Sequence, residues 1–325
     1  MKSKELWDLL KEAGSQWLDH KDARLGAALA YYTIFSLAPL LVIVIAIAGL
    51  VFGREAVQGH VADQMQNLVG QEGAKAIQTM VASASKPASS VIATVFGLAL
   101  LLFGAVSLFG QLQDAMNTVW EVQPKPGRGL LGILKDRLLS LSMVLGTAFL
   151  LLVSLLVSAA LAALGSLFGN WQASILGQAI NFVISFGVTT FLFAMIYRFL
   201  PDAKIAWKDV WLGATITALL FVLGKWLIGL YLGHASVGSA YGAAGSLAVL
   251  LIWLYYAAQI FLFGAEFTRA HANRFGSRIV PAENAVPVGE QALADQGIPR
   301  PARAESISRA RDANRANAGE PVNRT

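Results

Sequence analysis

Residues 138–197 read LLSLSMVLGTAFLLLVSLLVSAALAALGSLFGNWQASILGQAINFVISFGVTTFLFAMIY, sixty residues without a charge between Arg137 and Arg198. No core helix of a soluble domain runs that long. A hydrocarbon core about 30 Å thick takes roughly 20 apolar residues per helix. The segment therefore fits two membrane spans and a turn, written at Gly169-Asn170-Trp171-Gln172, where turn formers and an interfacial aromatic interrupt the run.

Working outward, four more uncharged runs qualify, giving six expected spans: about 25–52, 89–112, 138–168, 174–199, 210–232 and 244–267. They are continuous apolar runs, unlike the alternation of an outer-membrane barrel strand. Composition agrees, with 56% hydrophobic and 14% charged residues, against roughly 25% charged in a typical soluble chain. The expected fold class is all-α, a polytopic bundle of six transmembrane helices. The absence of cysteine removes disulfides, thiolate catalysis and Cys-ligated metals. The first apolar run lacks a small-residue cleavage site and reads as a retained span.

Orientation follows from Lys and Arg placement. Twenty-one of the 25 basic residues fall in the N-terminal segment, the loops after spans two and four, and the segment from Arg269 onward. Three (Arg54, Lys75, Lys86) fall on the other side, and Lys225 lies inside span five. Both termini are thus expected to be cytoplasmic. The expected organisation is a cytoplasmic amphipathic segment over 1–24, a transmembrane domain over 25–270 with an outer amphipathic loop at 53–88, and a disordered cytoplasmic tail over 277–325. In the outer loop, Val57, Val61, Met65, Leu68 and then Ala74, Ile77, Val81, Ala84 recur at helical spacing, which predicts two short surface helices.

Several motifs resemble the YihY/BrkB-like membrane proteins. They begin with Ala27-Ala28-Leu29-Ala30-Tyr31-Tyr32-Thr33-Ile34-Phe35-Ser36-Leu37-Ala38-Pro39-Leu40 in span one. Asn117-x-x-Trp120, Tyr197-Arg198-x-Leu200-Pro201, and Trp207 with Gly213-Ala214 follow. Tyr241-Gly242-Ala243-Ala244-Gly245-Ser246, Trp253-x-Tyr255-Tyr256 and Gly264-Ala265-Glu266-Phe267 complete an ordered set over about residues 10–275. The resemblance implies a six-span protein of the cell inner membrane without a settled activity. Members have carried the label "ribonuclease BN" and names linked to virulence and serum resistance.

Chemistry weighs against a ribonuclease. Metal-dependent hydrolysis needs clustered His and carboxylate ligands, and no two of His20, His60, His234 and His271 lie within helix-turn spacing. The reading is a non-enzyme with no catalytic residue, metal or cofactor. Polar residues recur on single faces of several spans: Ser107, Gln111, Asp114, Thr118; Asn181, Ser185, Thr189; Tyr255, Gln259, Glu266; and Tyr32, Ser36, Pro39. Such faces either line a hydrophilic pathway or act as hydrogen-bonding glue between helices. Candidate pathway or gating residues are Pro39, Gln111, Asp114, Asn117, Arg198, Lys225, Gly242, Gly245, Tyr255, Gln259 and Glu266. Lys225 either serves the pathway or snorkels to the outer surface. Asp114 and Glu266 fall near cytoplasmic helix ends with Arg24, Arg137, Arg198 and Arg269, where ion pairs either staple the ends together or form a gate. Gly238–Ser246 reads as a re-entrant or unwound segment and the first place to seek a substrate site.

Two function classes follow: a transporter or lipid-handling protein, and a non-catalytic envelope scaffold. Expected partners are membrane lipids and a possible second copy of the chain; Gly49/Gly53, Gly165/Gly169, Gly229/Gly233 and Gly238/Gly242 permit close helix contact, more often for internal packing than for dimerisation. No folded module or aromatic platform accompanies the basic tail, so no specific nucleic-acid binding is expected.

Overall fold

In the computed structural model the described residues are 3–84, 107–125, 175–234, 245–277, 279–289 and 293. Expected span three, the first part of span two, the Gly169–Gln172 turn, most of the Gly238–Ser246 segment and the distal tail lie outside them.

The described chain is dominated by long helices. Helix α1 covers Ser3–Asp19, α2 Asp22–Phe52 and α3 Arg54–Ala84. Helix α4 covers residues 107–119. Helix α5 is Ile175–Phe199, α6 Trp207–His234 and α7 Gly245–Arg274. Helices α2, α5, α6 and α7 coincide with expected spans one, four, five and six to within a few residues, α7 running a further two turns past its apolar run. Among the described residues, three stretches are long and apolar enough to cross a membrane: Phe182–Phe199, Trp207–Leu227 and Leu247–Arg274, with mean hydropathy 1.7, 1.7 and 2.0.

The bundle is held by a few close helix contacts. Helices α6 and α7 run antiparallel along a seam in which Gly213 meets Thr268, Gly264 meets Thr217, and Gly224 meets Tyr256. Small residues let two backbones approach where lipid offers no competing hydrophobic gain. Tyr197 of α5 locks into this seam. Its hydroxyl donates to the Phe261 carbonyl at 2.7 Å and lies 3.0 Å from Thr217 Oγ1. Around it pack Phe193, Leu262, Ala265, Met116, Val119 and Trp120. Many large apolar side chains face outward instead, among them Phe35, Phe182, Val183, Leu223 and Trp226. A soluble protein buries such surface; a bundle solvated by lipid does not need to.

Two sequence expectations change. The outer segment is one continuous 31-residue helix, α3, rather than two short ones. Gly59 and Gly73 are tolerated within it, since tertiary contact with α2 and α7 outweighs their weak helix propensity. The segment after Ser277 is not structureless from its start. Strand β3 (Val280–Pro281) pairs antiparallel with β2 (Ala203–Lys204), and β4 (Ala285–Pro287) with β1 (Val122–Pro124). Periodicity cannot reveal strands two or three residues long. They are held by Val288 N–H donating to the Glu121 carbonyl at 2.8 Å and Ala282 N–H to the Asp202 carbonyl at 2.8 Å.

These pairings gather the loop after α4, the α5–α6 loop and the segment after α7 at one end of the bundle. Helix α1 joins them there, burying Leu9 and Ala13 against Phe267 and Ala270 of α7. Its Trp7 and Leu18 stay exposed, as suits a helix lying at a membrane surface.

A buried ionisable cluster at one end of the bundle

Helix α1 stops at Asp19 and α2 starts at Asp22, so His20 and Lys21 make the whole connection. Lys21 adopts the left-handed conformation, φ 57°, to reverse the chain that sharply. The reversal brings His20 and Asp22 inward on either side of it, both buried. Across from them, Glu266 and Arg269 lie three apart on α7, hence on one face. Both are buried as well. Glu121, in the turn between α4 and β1, completes the group with φ 51°. Among the described residues, Lys21 and Glu121 are the non-glycine positions with positive φ. Left-handed backbone costs a non-glycine residue about 1 kcal/mol or more, and both instances border this cluster.

His20 Nδ1 and Glu266 Oε1 are 2.5 Å apart. His20 Nε2 lies 3.5 Å from Glu121 Oε1. Arg269 places Nη2 2.8 Å from Glu121 Oε2 and Nη1 3.8 Å from Glu266 Oε2. Burial alone would lower the His20 pKa, but bonding to Glu121 and Glu266, with the charge of Glu266, overcomes it and raises the pKa to about 9. Asp22 has no such support. Burial, then the charge of Glu266, pushes its carboxyl up to about 8 against the opposing pull of His20 and Arg269. Neither Asp22 oxygen accepts a hydrogen bond. One ligand atom from each of His20, Asp22 and Glu266 lies within 4.8 Å of the others, the geometry in which these three could hold a metal ion.

Of the residues singled out in the sequence, Glu266 is in the cluster and Gln259 lies about two turns away on the same face of α7. Gln259 packs against Gly26 of α2, where a Cβ would collide with its amide, and both its polar side-chain atoms are buried without a hydrogen-bond partner. Asn117 is buried but serves the loops: its amide donates to Asp202 Oδ2 at 3.0 Å and its Oδ1 accepts the Asp202 N–H at 2.8 Å. Arg198 lies over the Trp207 ring, 6.0 Å from its centroid. Asp114, Lys225 and Tyr255 are exposed, Gln111 is half-buried, and buried Gly245 opens α7. Helix α2 runs through Pro39 without a break. Gly242 lies outside the described residues. Thr189 and Thr118 donate to the carbonyls of Ser185 and Asp114 four residues back in their own helices.

His20, Asp22 and Glu121 carried no signal by spacing, because 246 residues separate His20 from its partner Glu266. The available hint was His20-x-Asp22 directly ahead of an uncharged span, ionisable residues at the point where the chain enters the bundle. Elsewhere, a cavity of about 470 Å³ between α2 and α3 is lined by Ile45, Glu55, Gln58, Val61, Ile77 and Gln78.

Long apolar helices with outward-facing hydrophobic side chains, closed at one end by ion-paired groups, define a helical membrane protein. The chain belongs to the Virulence factor BrkB family, whose model matches residues 13–288. Its curated relatives are named UPF0761 membrane proteins. That of Psychrobacter sp. (strain PRwf-1) is 30% identical over 249 residues, 74% of this chain and 44% of the relative. That of Stenotrophomonas maltophilia (strain K279a) is 29% identical over 283 residues, 84% of this chain and 62% of the relative. A third, from Psychromonas ingrahamii, is 26% identical over 241 residues, covering 74% and 79%. The chain thus spans about half the length of the first two relatives. No solved structure matches it.

Proposed function

We propose that the chain is a six-span inner-membrane protein with cytoplasmic termini that moves a solute or lipid across or within the bilayer, with the His20–Asp22–Glu121–Glu266–Arg269 cluster as its working centre. The cluster carries this reading. Four buried ionisable groups, His20, Asp22, Glu266 and Arg269, joined by the partly exposed Glu121 at the end of an apolar bundle, are expensive to maintain, and such groups in membrane proteins mark ion, proton or substrate paths. The gathering of the N-terminal helix and the segment after α7 at one bundle end fits an even number of crossings. Arg24, Arg198 and Arg269 near that end fit a cytoplasmic face.

The test is flux and lipid scrambling in proteoliposomes. Glu266→Gln and Asp22→Asn are expected to slow the wild-type rate by about ten-fold or more with membrane insertion unchanged. If wild-type protein shows no flux or scrambling, the transport reading fails and the envelope scaffold replaces it. That alternative rests on the ion pairs among α7, the α1–α2 turn and the α4–β1 turn, which staple the bundle end together whatever else they do. Neither reading calls for a catalytic residue, and we place the protein among non-enzymes whose partners are membrane lipids and a possible second copy.

A further inference from the structure

Asp22 is the side chain that the packing does not account for. It is fully buried, and no donor reaches either carboxylate oxygen. Its position in the first turn of α2 gives it the favourable end of a helix dipole, which offsets only part of the cost of burial. Removing a carboxylate from water costs several kcal/mol unless it is paired. The neighbours do not repay that cost. Arg269 is engaged by Glu121 at 2.8 Å, and His20 by Glu266. Glu266 Oε2 also lacks a hydrogen bond. Three carboxylates (Asp22, Glu121, Glu266) therefore face one guanidinium, and once the imidazole and all three carboxyls give up their protons, as metal ligation requires of a ligand, the excess is two negative charges.

We propose that His20, Asp22 and Glu266 form a binding site for one divalent transition-metal cation, held through one imidazole nitrogen and one oxygen from each carboxylate. The charge of such an ion equals the excess. One nitrogen and two carboxylate oxygens, without sulfur, suit Zn²⁺ or Mn²⁺ rather than Cu(I). Ca²⁺ and Mg²⁺ favour oxygen donors throughout. The three ligand atoms, within 4.8 Å of one another, need shifts of under about 2 Å to reach the spacing of donors around an ion with bonds of about 2.1 Å, the hydrogen bond between His20 and Glu266 giving way to the ion. The left-handed Lys21 sets His20 and Asp22 on either side of one sharp turn, a preorganisation of two ligands from one loop. Glu121, whose side chain is 18% exposed, marks the way in. The proposal stands whether or not the chain moves a solute.

The experiment uses the full chain, purified in detergent, stripped with chelator and dialysed, then titrated with Zn²⁺ alone and Mn²⁺ alone while bound metal is counted by mass spectrometry. One ion per chain and a raised thermal unfolding temperature are expected. Asp22→Asn is expected to weaken binding at least about ten-fold while the metal-free variant melts no lower than wild type, because the carboxyl it replaces is buried without a hydrogen bond to lose. A merely structural role would lower that melting temperature. Glu266→Gln is expected to weaken binding similarly, and His60→Asn with His234→Asn to leave it unchanged. The proposal is overturned if wild type binds neither ion stoichiometrically, or if Asp22→Asn binds as tightly as wild type. It is equally overturned if binding disappears with His60 and His234 instead.

Discussion

At the residue scale, balancing the buried cluster without a divalent ion falls to protons. His20, raised to about 9, and Asp22, raised to about 8, are both protonated at neutral pH in the chelated protein. Both pKa values lie above their unfolded values of about 6.5 and 3.9. The His20 contribution is therefore fully present below pH about 6.5 and is lost as pH rises through about 9. The Asp22 contribution is fully present below about 3.9 and is lost as pH rises through about 8. Detergent-solubilised, metal-free protein should accordingly lose thermal stability on the alkaline side of neutrality. Asp22→Asn should flatten the part of that loss below pH about 8; a melting temperature that rises from pH 7 to 9 in wild type would refute the assignment. A second residue tests the loops. Asn117→Ala strips two hydrogen bonds from buried Asp202 and should cost about 1–3 kcal/mol, read as a lowered unfolding temperature.

At the scale of elements, the α6–α7 seam depends on glycines that admit hydroxyl-bearing neighbours. A Cβ at Gly264 would run into Thr217 Oγ1 and the Tyr197 hydroxyl, and one at Gly213 into Thr268. Gly264→Ala should therefore destabilise the bundle by about 1–3 kcal/mol through overpacking, whereas Gly14→Ala, with open space around it in α1, should be neutral or mildly stabilising. Equal melting temperatures for the two variants would count against the seam. Tyr197 gives the same element a polar lock, bonded across to α7. The sequence marks both glycines and the tyrosine within ordered motifs, but not that they meet, because no pattern along one helix names the helix it packs against.

At the scale of the whole molecule, truncation separates the ordered from the unneeded part of the C-terminal segment. Residues 280–287 pair with the loops after α4 and α5, and Leu293 is buried. A chain cut after residue 277 should insert but melt below wild type, since both short ladders and their hydrogen bonds vanish. A chain cut after residue 295 should match wild type. The sign of this difference, measured by thermal unfolding in detergent, decides whether the two short ladders stabilise the bundle end.

The amino-acid sequence determined that the chain is solvated by lipid and helical, and it placed four described helices nearly to their ends. Those properties follow from local hydropathy and from the need to satisfy every backbone hydrogen bond inside the helix. It also contained Glu266 and Gln259 as marked positions. Only the tertiary structure decided that Glu266 meets His20, that Asp22 is buried bare beside them, and that a segment past Ser277 returns to pair with Val122–Pro124 and Ala203–Lys204. Such contacts join residues up to 246 positions apart, and nothing periodic in either partner encodes the other. They arise from how whole helices pack.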